Sequence, residues 1–272
     1  MWATLALTTA LNLAPAPTGA LDLKNVRVTY GVLGQERKEA KEVLPGDIFN
    51  VAFDIEGLQV SEDGRVLYRM GMELTKTGKK EPEFRQEPRD LEAYNTLGGS
   101  RVPAFARTTV GLDTPAGEYT LKVTITDRAA KQTKDLSRTF NVVAPRLGLV
   151  QVSLFSYNDG KGTALPAPPL GVPGQAILLH FAVVGFTLDK DKQQPNVITE
   201  VSVLDESGKP VLAKPFSGTT TEVGNQFKKI LPMDFPVQLN RSGKFKVQIK
   251  VTDKLANKTA ETALDLTVVE QK

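Results

Sequence analysis

The stretch GEYTLKVTITD, Gly117–Asp127, returns as GKFKVQIKVTD at Gly243–Asp253, and its reading decides the fold. In the first stretch Tyr119, Leu121, Val123 and Ile125 alternate with Glu118, Thr120, Lys122 and Thr124. A period of two marks a strand with one face in a core and the other in water. In the second stretch Phe245, Val247, Ile249 and Val251 take the apolar positions, between the same leading Gly and the same closing Thr-Asp. After each Asp a polar run, DRAAKQ or DKLANK, gives way to renewed alternation. Each stretch therefore reads as the first arm of a hairpin.

Outward from this hairpin the correspondence continues. FNVV at Phe140–Val143 meets LTVV at Leu266–Val269, and PGDIFNVAFDIEG at Pro45–Gly57 meets PGQAILLHFAVVG at Pro173–Gly185. The blocks follow the same order at a spacing of about 126 to 130 residues, so the chain contains an internal duplication. Strands are expected near 23–31, 47–56, 65–75, 82–87, 101–110, 117–126 and 135–143. In the second copy they are expected near 147–157, 175–187, 197–205, 209–216, 222–235, 243–252 and 259–269. Seven short strands per copy, separated by turn residues, predict an all-β chain of two tandem antiparallel sandwiches. Only 35–43 and 88–95 look locally helical. The expected divisions are a signal segment at 1–20, one sandwich at 21–145 and a second at 146–272. Val143-Ala-Pro145-Arg146-Leu147 is a short, proline-containing connection that restricts the angle between them.

The run TPAGEYTLKVTITD, followed by a turn and FNVV, resembles the last hairpin of bacterial immunoglobulin-like and macroglobulin-like modules. The aromatic that follows Gly117 is similar to the tyrosine corner of such sandwiches. The resemblance implies an immunoglobulin-like fold for both copies and an extracytoplasmic setting. It brings no catalytic residue with it.

Composition narrows the function. Basic and acidic residues number 34 and 31, and the surplus of 3 falls after Pro145. No basic excess of the kind that phosphate backbones demand is present, which argues against nucleic acid as a partner. With no cysteine, disulfides, thiolate metal sites and cysteine nucleophiles are all excluded. The opening MWATLALTTALNLAPAPTGA carries no charge, and its apolar run from Trp2 to Ala14 ends at Pro15 and Pro17. A membrane span needs about 20 apolar residues, so this run reads instead as a secretory signal, with Thr18 and Ala20 as the small residues before cleavage.

Candidate sites are few. His180, the single histidine, lies on the presumptive outer face of its strand beside Leu178, Ala182 and Val184. The matching face of the first copy reads Asn50, Ala52 and Asp54 and is expected to meet water. The apolar character of the second face predicts that something covers it, and Leu178, His180 and Val184 form the candidate interaction face. No nucleophile-elbow motif accompanies His180, and a zinc site without cysteine wants more than one histidine. Asp189 and Asp191 fall far short of the six to eight oxygens calcium takes, and Asp127 and Asp253 read as turn residues. Gly98-Gly99-Ser100 lacks the Lys and helix of a phosphate loop. The proline-rich 165–173 reads as a stiff loop rather than a polyproline ligand. With Trp2 inside the signal, Tyr94 and Tyr157 are the remaining candidate platforms for a sugar ring.

No cofactor and no catalytic residue are expected. The reading is a non-catalytic secreted or cell-envelope module that binds a protein partner or acts as a spacer. A carbohydrate-binding module serving polysaccharides is the alternative, and a hydrolase is more distant. Expression with a functional export system should give a product trimmed near Ala20 by intact-mass measurement. A soluble cytosolic product that keeps Met1 and Trp2 would overturn the signal reading.

Overall fold

A computed structural model describes residues 19–38, 41–157 and 164–270. Of the segment 1–20 read as a signal, residues 1–18 lie outside the described residues. The chain is all-β. Its first half runs β1 (Asp22–Thr29), β2 (Glu42–Val43), β3 (Ile48–Glu56), β4 (Arg65–Lys76), β5 (Phe84–Tyr94), β6 (Val102–Thr109), β7 (Gly117–Asp127) and β8 (Thr133–Val142). The second half runs β9 (Gly148–Ser156), β10 (Leu170–Gly171), β11 (Ala176–Val184), β12 (Val197–Leu204), β13 (Phe216–Thr220), β14 (Ile230–Gln238), β15 (Gly243–Asp253) and β16 (Lys258–Val268). One 3-10 turn, Asn225–Phe227, precedes β14.

Four sheets form, two from each half. In the first half β1-β3-β6 faces β2-β8-β7-β4-β5, and in the second β9-β11-β14 faces β10-β16-β15-β12-β13. The order is the same strand for strand. The hairpins read from sequence are both present, with Tyr119 opposite Phe140 and Phe245 opposite Leu266. The short strands β2 and β10 run parallel to β8 and β16 and extend one edge of each larger sheet. Each half has its own core: one joins residues from Leu21 to Val142, the other residues from Leu147 to Val268.

Backbone irregularities are duplicated too. Asn25 and Gln151 both adopt positive φ, 50° and 56°, at bulges in β1 and β9. Lys131 and Asn257 do the same in the two hairpin turns, at 58° and 52°. Non-glycine residues occupy this region uncommonly, so matched occupancy at matched positions marks a shared backbone path.

The closing Asp of each repeat fastens the two sheets together. Asp127 is buried; its Oδ1 accepts the N–H groups of Ala129 and Ala130, and its Oδ2 accepts that of Gln59, 2.8 Å away on the loop after β3. Asp253 repeats this with Leu255, Ala256 and Thr187, the last at 2.8 Å on the loop after β11. One oxygen thus shapes the hairpin turn, as expected, while the other ties that turn to the opposite sheet. The cross-sheet bond was not foreseen. The tyrosine corner is present in the first half, where the Tyr119 hydroxyl donates to the Pro115 carbonyl at 2.9 Å.

Two expectations are corrected. Residues 88–95 are not helical, because β5 runs on through Pro88 to Tyr94. Proline is tolerated on an edge strand, where one N–H side faces solvent. The register between β4 and β5 also shifts opposite Pro88, where a Cβ on Gly71 would crowd its ring at 3.0 Å. Among the described residues of 35–43 there is no helix either; Arg37 N–H bonds to the Val28 carbonyl and Glu36 bridges to Thr29. In the second copy the fourth and fifth strands start later than expected, at Phe216 and Ile230.

Replacing Asp127 or Asp253 with Ala removes a buried carboxylate and the three hydrogen bonds it accepts, bonds to a charged group being worth about 1.5–3 kcal/mol each. Urea denaturation should show each variant losing at least about 2 kcal/mol. A loss within about 0.5 kcal/mol, the range of ordinary surface changes, would contradict the fastening role.

Candidate functional site

The expected interaction face lies on β11, the central strand of its sheet, so its side chains sit between those of β9 and β14. Leu178 lies between Phe155 and Pro236, His180 between Ser153 and Asp234, Ala182 between Val150 and Pro232, and Val184 between Gly148 and Ile230. This face divides in two. At one end Ala182, Val184 and Val150 are buried and pack against Leu44 and Leu112 of the first half. At the other end Leu178 is half-buried, and His180 Nδ1 bonds to Asp234 Oδ1 at 2.7 Å while its ring meets Phe155 edge-on at 6.1 Å. Val184 is therefore taken up by a contact within the chain, whereas Leu178 and His180 keep partial access to solvent.

The hydroxyl of Ser153, across the strand from His180, donates to the Gln151 carbonyl at 3.2 Å. Its proton is thus directed away from the imidazole. The Asp189 carboxylate is likewise occupied by a turn. The N–H groups of Lys192 and Asp191 bond to it and hold its pKa below the usual carboxylate value. Gly98 and Gly99 adopt positive φ in a turn. The 165–173 loop is tied down by backbone bonds from Ala167 N–H to Leu154 and from Thr267 N–H to Pro169. Tyr94 ends β5 and Tyr157 follows β9, so the two rings belong to different halves.

The control face of the first copy is not open. Asn50, Ala52 and Asp54 are only 3%, 6% and 8% exposed. Their polarity suggested contact with water, but β3 is also a central strand. Arg27 and Phe105 stand on either side of Ala52, Thr29 and Arg107 flank Asn50, and Asp54 accepts a hydrogen bond from Asn25 Nδ2 at 2.7 Å. Small residues between long neighbours are sheltered whatever their polarity. A charge at Asn50 is thus not the neutral surface change that the sequence suggested.

What covers the upper part of β11 is a junction centred on Asp47, which is 4% exposed. Its Oδ1 accepts the N–H of Ile48 and, across the junction, that of Gln151, each at 2.8 Å. Its Oδ2 pairs with Arg37 Nη1 at 2.9 Å, and this ion pair is itself largely buried. The bulge that gives Gln151 its positive φ also lets its side-chain amide donate to the Gly46 carbonyl at 2.8 Å. Asn25, at the equivalent bulge, has a shorter amide and stays within its own sheet, on Asp54. Close approach is enforced by glycine on both sides. A Cβ on Gly148 would overlap Leu44, and one on Gly46 would come within 3.2 Å of Val184 across the junction and 2.8 Å of Leu112 in its own half.

The loop after β1 completes the junction by reaching over the second half. Tyr30 packs against the second core, its hydroxyl 3.3 Å from Thr262 Oγ1. Gln35 bonds to the β16 backbone in both directions, donating to the Ala263 carbonyl and accepting from the Asp265 N–H. Arg37 lies over the Tyr30 ring at 5.2 Å, joining this arm to the Asp47 centre. None of this was read from sequence. The segment 35–43 looked locally helical, whereas the side chains of Gln35 and Arg37 serve two different surfaces.

Comparison with known proteins adds little. No family model matches the chain, and no curated protein does. Among solved structures, red sea bream transglutaminase aligns with 93% of this chain at 10% identity and a TM-score of 0.29, the chain spanning 32% of that protein. A family 123 glycoside hydrolase from Clostridium perfringens aligns with 45% of this chain at 13% identity and the same TM-score, over 27% of its own length. Among the described residues no helix is long and apolar enough to cross a membrane, and no group of three or more acidic or histidine side chains is placed to hold a metal ion.

Removing the carboxylate in Asp47→Ala strands Arg37 and the Gln151 N–H in a buried junction. Breaking a buried pair in this way costs about 3–5 kcal/mol. Calorimetry should show the single transition of the native chain resolving into two as the halves uncouple. A single transition within a degree or two of the native one would rule out the coupling role.

Proposed function

We propose that the chain is a non-catalytic protein of the cell envelope or exterior, made of two immunoglobulin-like modules, 21–145 and 146–272, that work as one stiff unit. The observation that carries this reading is the Asp47 junction. The two bonds that Gln151 donates to Asp47 and Gly46, together with the overlying 30–38 arm on Thr262, Ala263 and Asp265, hold in place two sandwiches that each have a core of their own. A spacer or presenting scaffold needs that property, whereas independent modules on a slack linker move relative to one another. Two sheets per half in the same order, with a tyrosine corner in the first, support the immunoglobulin-like assignment.

The accessible part of the β11 face, around Leu178, His180 and Phe155, is the surface assigned to a protein partner. It combines apolar area with a polar His180–Asp234 pair, the mixture found at protein interfaces. A polysaccharide-binding role is the weaker reading, because Tyr94 and Tyr157 belong to different halves and Phe216 meets Phe235 at 57° rather than in one plane. Export, on the signal reading of 1–20, places the partner outside the cytoplasm.

The immobilised mature chain, challenged with envelope proteins beside a glycan array, tests this reading. Retention of a protein ligand by the native chain and its loss from Leu178→Asp is the expected result, with both chains showing the same β-sheet circular dichroism. Binding of a glycan with no protein retained would replace this reading with the carbohydrate one.

A further inference from the structure

The two halves differ at one lateral opening, where the two sheets part. In the first half this place is nearly closed. Phe49, Phe140 and Tyr119 stack through it, with centroids 4.1 Å and 6.0 Å apart, and about 200 Å³ of cleft remains. In the second half the same three positions hold Ile177, Leu266 and Phe245. Two aromatic rings are replaced by aliphatic side chains, and the cleft grows to about 570 Å³. That volume falls within the range of about 300–1,000 Å³ typical of small-molecule sites.

The corner that closes the first cleft is also altered. Tyr119 ties its loop shut through the hydroxyl bond to Pro115, and Phe245 has no hydroxyl with which to do so. The residue four positions back, equivalent to Pro115, is Arg241, whose guanidinium lies over the Phe245 ring at 4.9 Å. Phe216, 51% exposed, stands at the mouth with Phe235, the ring centroids 5.0 Å apart. The cleft walls are thus apolar and aromatic. Among the described residues the one charged side chain lining the cleft is Arg241, with the amides of Gln238 and Asn240 beside it.

We propose that this cleft binds a small amphiphile: an aliphatic chain between the sheets and a single carboxylate on Arg241. The long apolar interior suits the chain, and burial of the chain supplies the affinity. The planar guanidinium presents paired donors that match a carboxylate, and its contact with Phe245 holds it in place for that task. An amine head would meet a like charge, and an uncharged alcohol would leave the guanidinium without its counterion. The proposal is independent of the junction and of the β11 face.

Sodium decanoate, kept below its micellar range and titrated into the full chain by calorimetry, is the probe. Saturable binding at one site is expected, and it should weaken by about tenfold or more in Arg241→Gln, the scale of a lost charged hydrogen bond. Decanol should bind more weakly than decanoate and should be indifferent to that substitution. Leu266→Phe, which places in the second half the residue the first half uses, should abolish decanoate binding while keeping the native melting profile. If that variant fails to fold, Phe216→Asp at the exposed mouth takes its place and should weaken decanoate binding by a similar factor. Absence of saturable binding to the native chain would overturn the proposal. So would binding left unchanged by Arg241→Gln or by filling the cleft.

Discussion

The carboxylate of Asp47 sets the relation between the two halves. It is buried where β3 begins, and its three bonds go to three separate pieces of chain: its own strand, the arm after β1 and the bulge of β9. A carboxylate out of water demands this degree of satisfaction, since an unpaired buried charge is among the most costly features a fold can hold. Because the partners come from both halves, satisfying the charge and fixing the inter-module angle are the same event. Gly148, Gly46, Leu44 and Val184 then pack around a geometry already determined by hydrogen bonding.

Within each half the corresponding role falls to Asp127 and Asp253. Sandwiches are held chiefly by apolar burial between sheets, which is non-directional and leaves the sheets free to slide. A carboxylate that accepts turn N–H groups with one oxygen and a cross-sheet N–H with the other supplies direction. The same device at both sites, down to the 2.8 Å bond on the loop after the third strand of each half, shows that the duplicated backbone keeps its polar fastenings as well as its apolar pattern.

Much of this was legible in the sequence, and what was not has definite causes. Alternation of period two located β7, β8, β15 and β16, because those strands bury one face and the pattern records it; β3 and β11 were located as well, although both faces of β3 and part of the second face of β11 are covered. The later part of β5, 88–94, escaped because it is an edge strand with nearly every side chain exposed; with no buried face, RDLEAY carries no alternation to read. The face of β3 was misjudged because polarity was equated with exposure, whereas Asn50 and Asp54 are sheltered by neighbours that only strand pairing reveals. The coverage of Ala182 and Val184 was anticipated from the contrast between the copies, but Leu44 and Leu112 as the covering residues were not. Nor was the cleft beside Phe245, since the loss of two rings at Ile177 and Leu266 is visible only once these positions are known to stack.

The junction also bears on how many modules such a chain can string together. It is a head-to-tail contact, in which the surface used by the first half differs from the surface used by the second; repeated, a contact of that kind gives a ring where the rotation closes and an open array where it does not. Here the position equivalent to Asp47 is Gln175, whose side-chain oxygen turns inward to accept the Val172 N–H at 3.0 Å. The second module therefore offers no carboxylate to a successor. Likewise Asn25 in the first module is one methylene too short to do what Gln151 does, and braces its own sheet instead. The two modules thus carry different residues at matching positions, each fitted to its own side of the one contact between them.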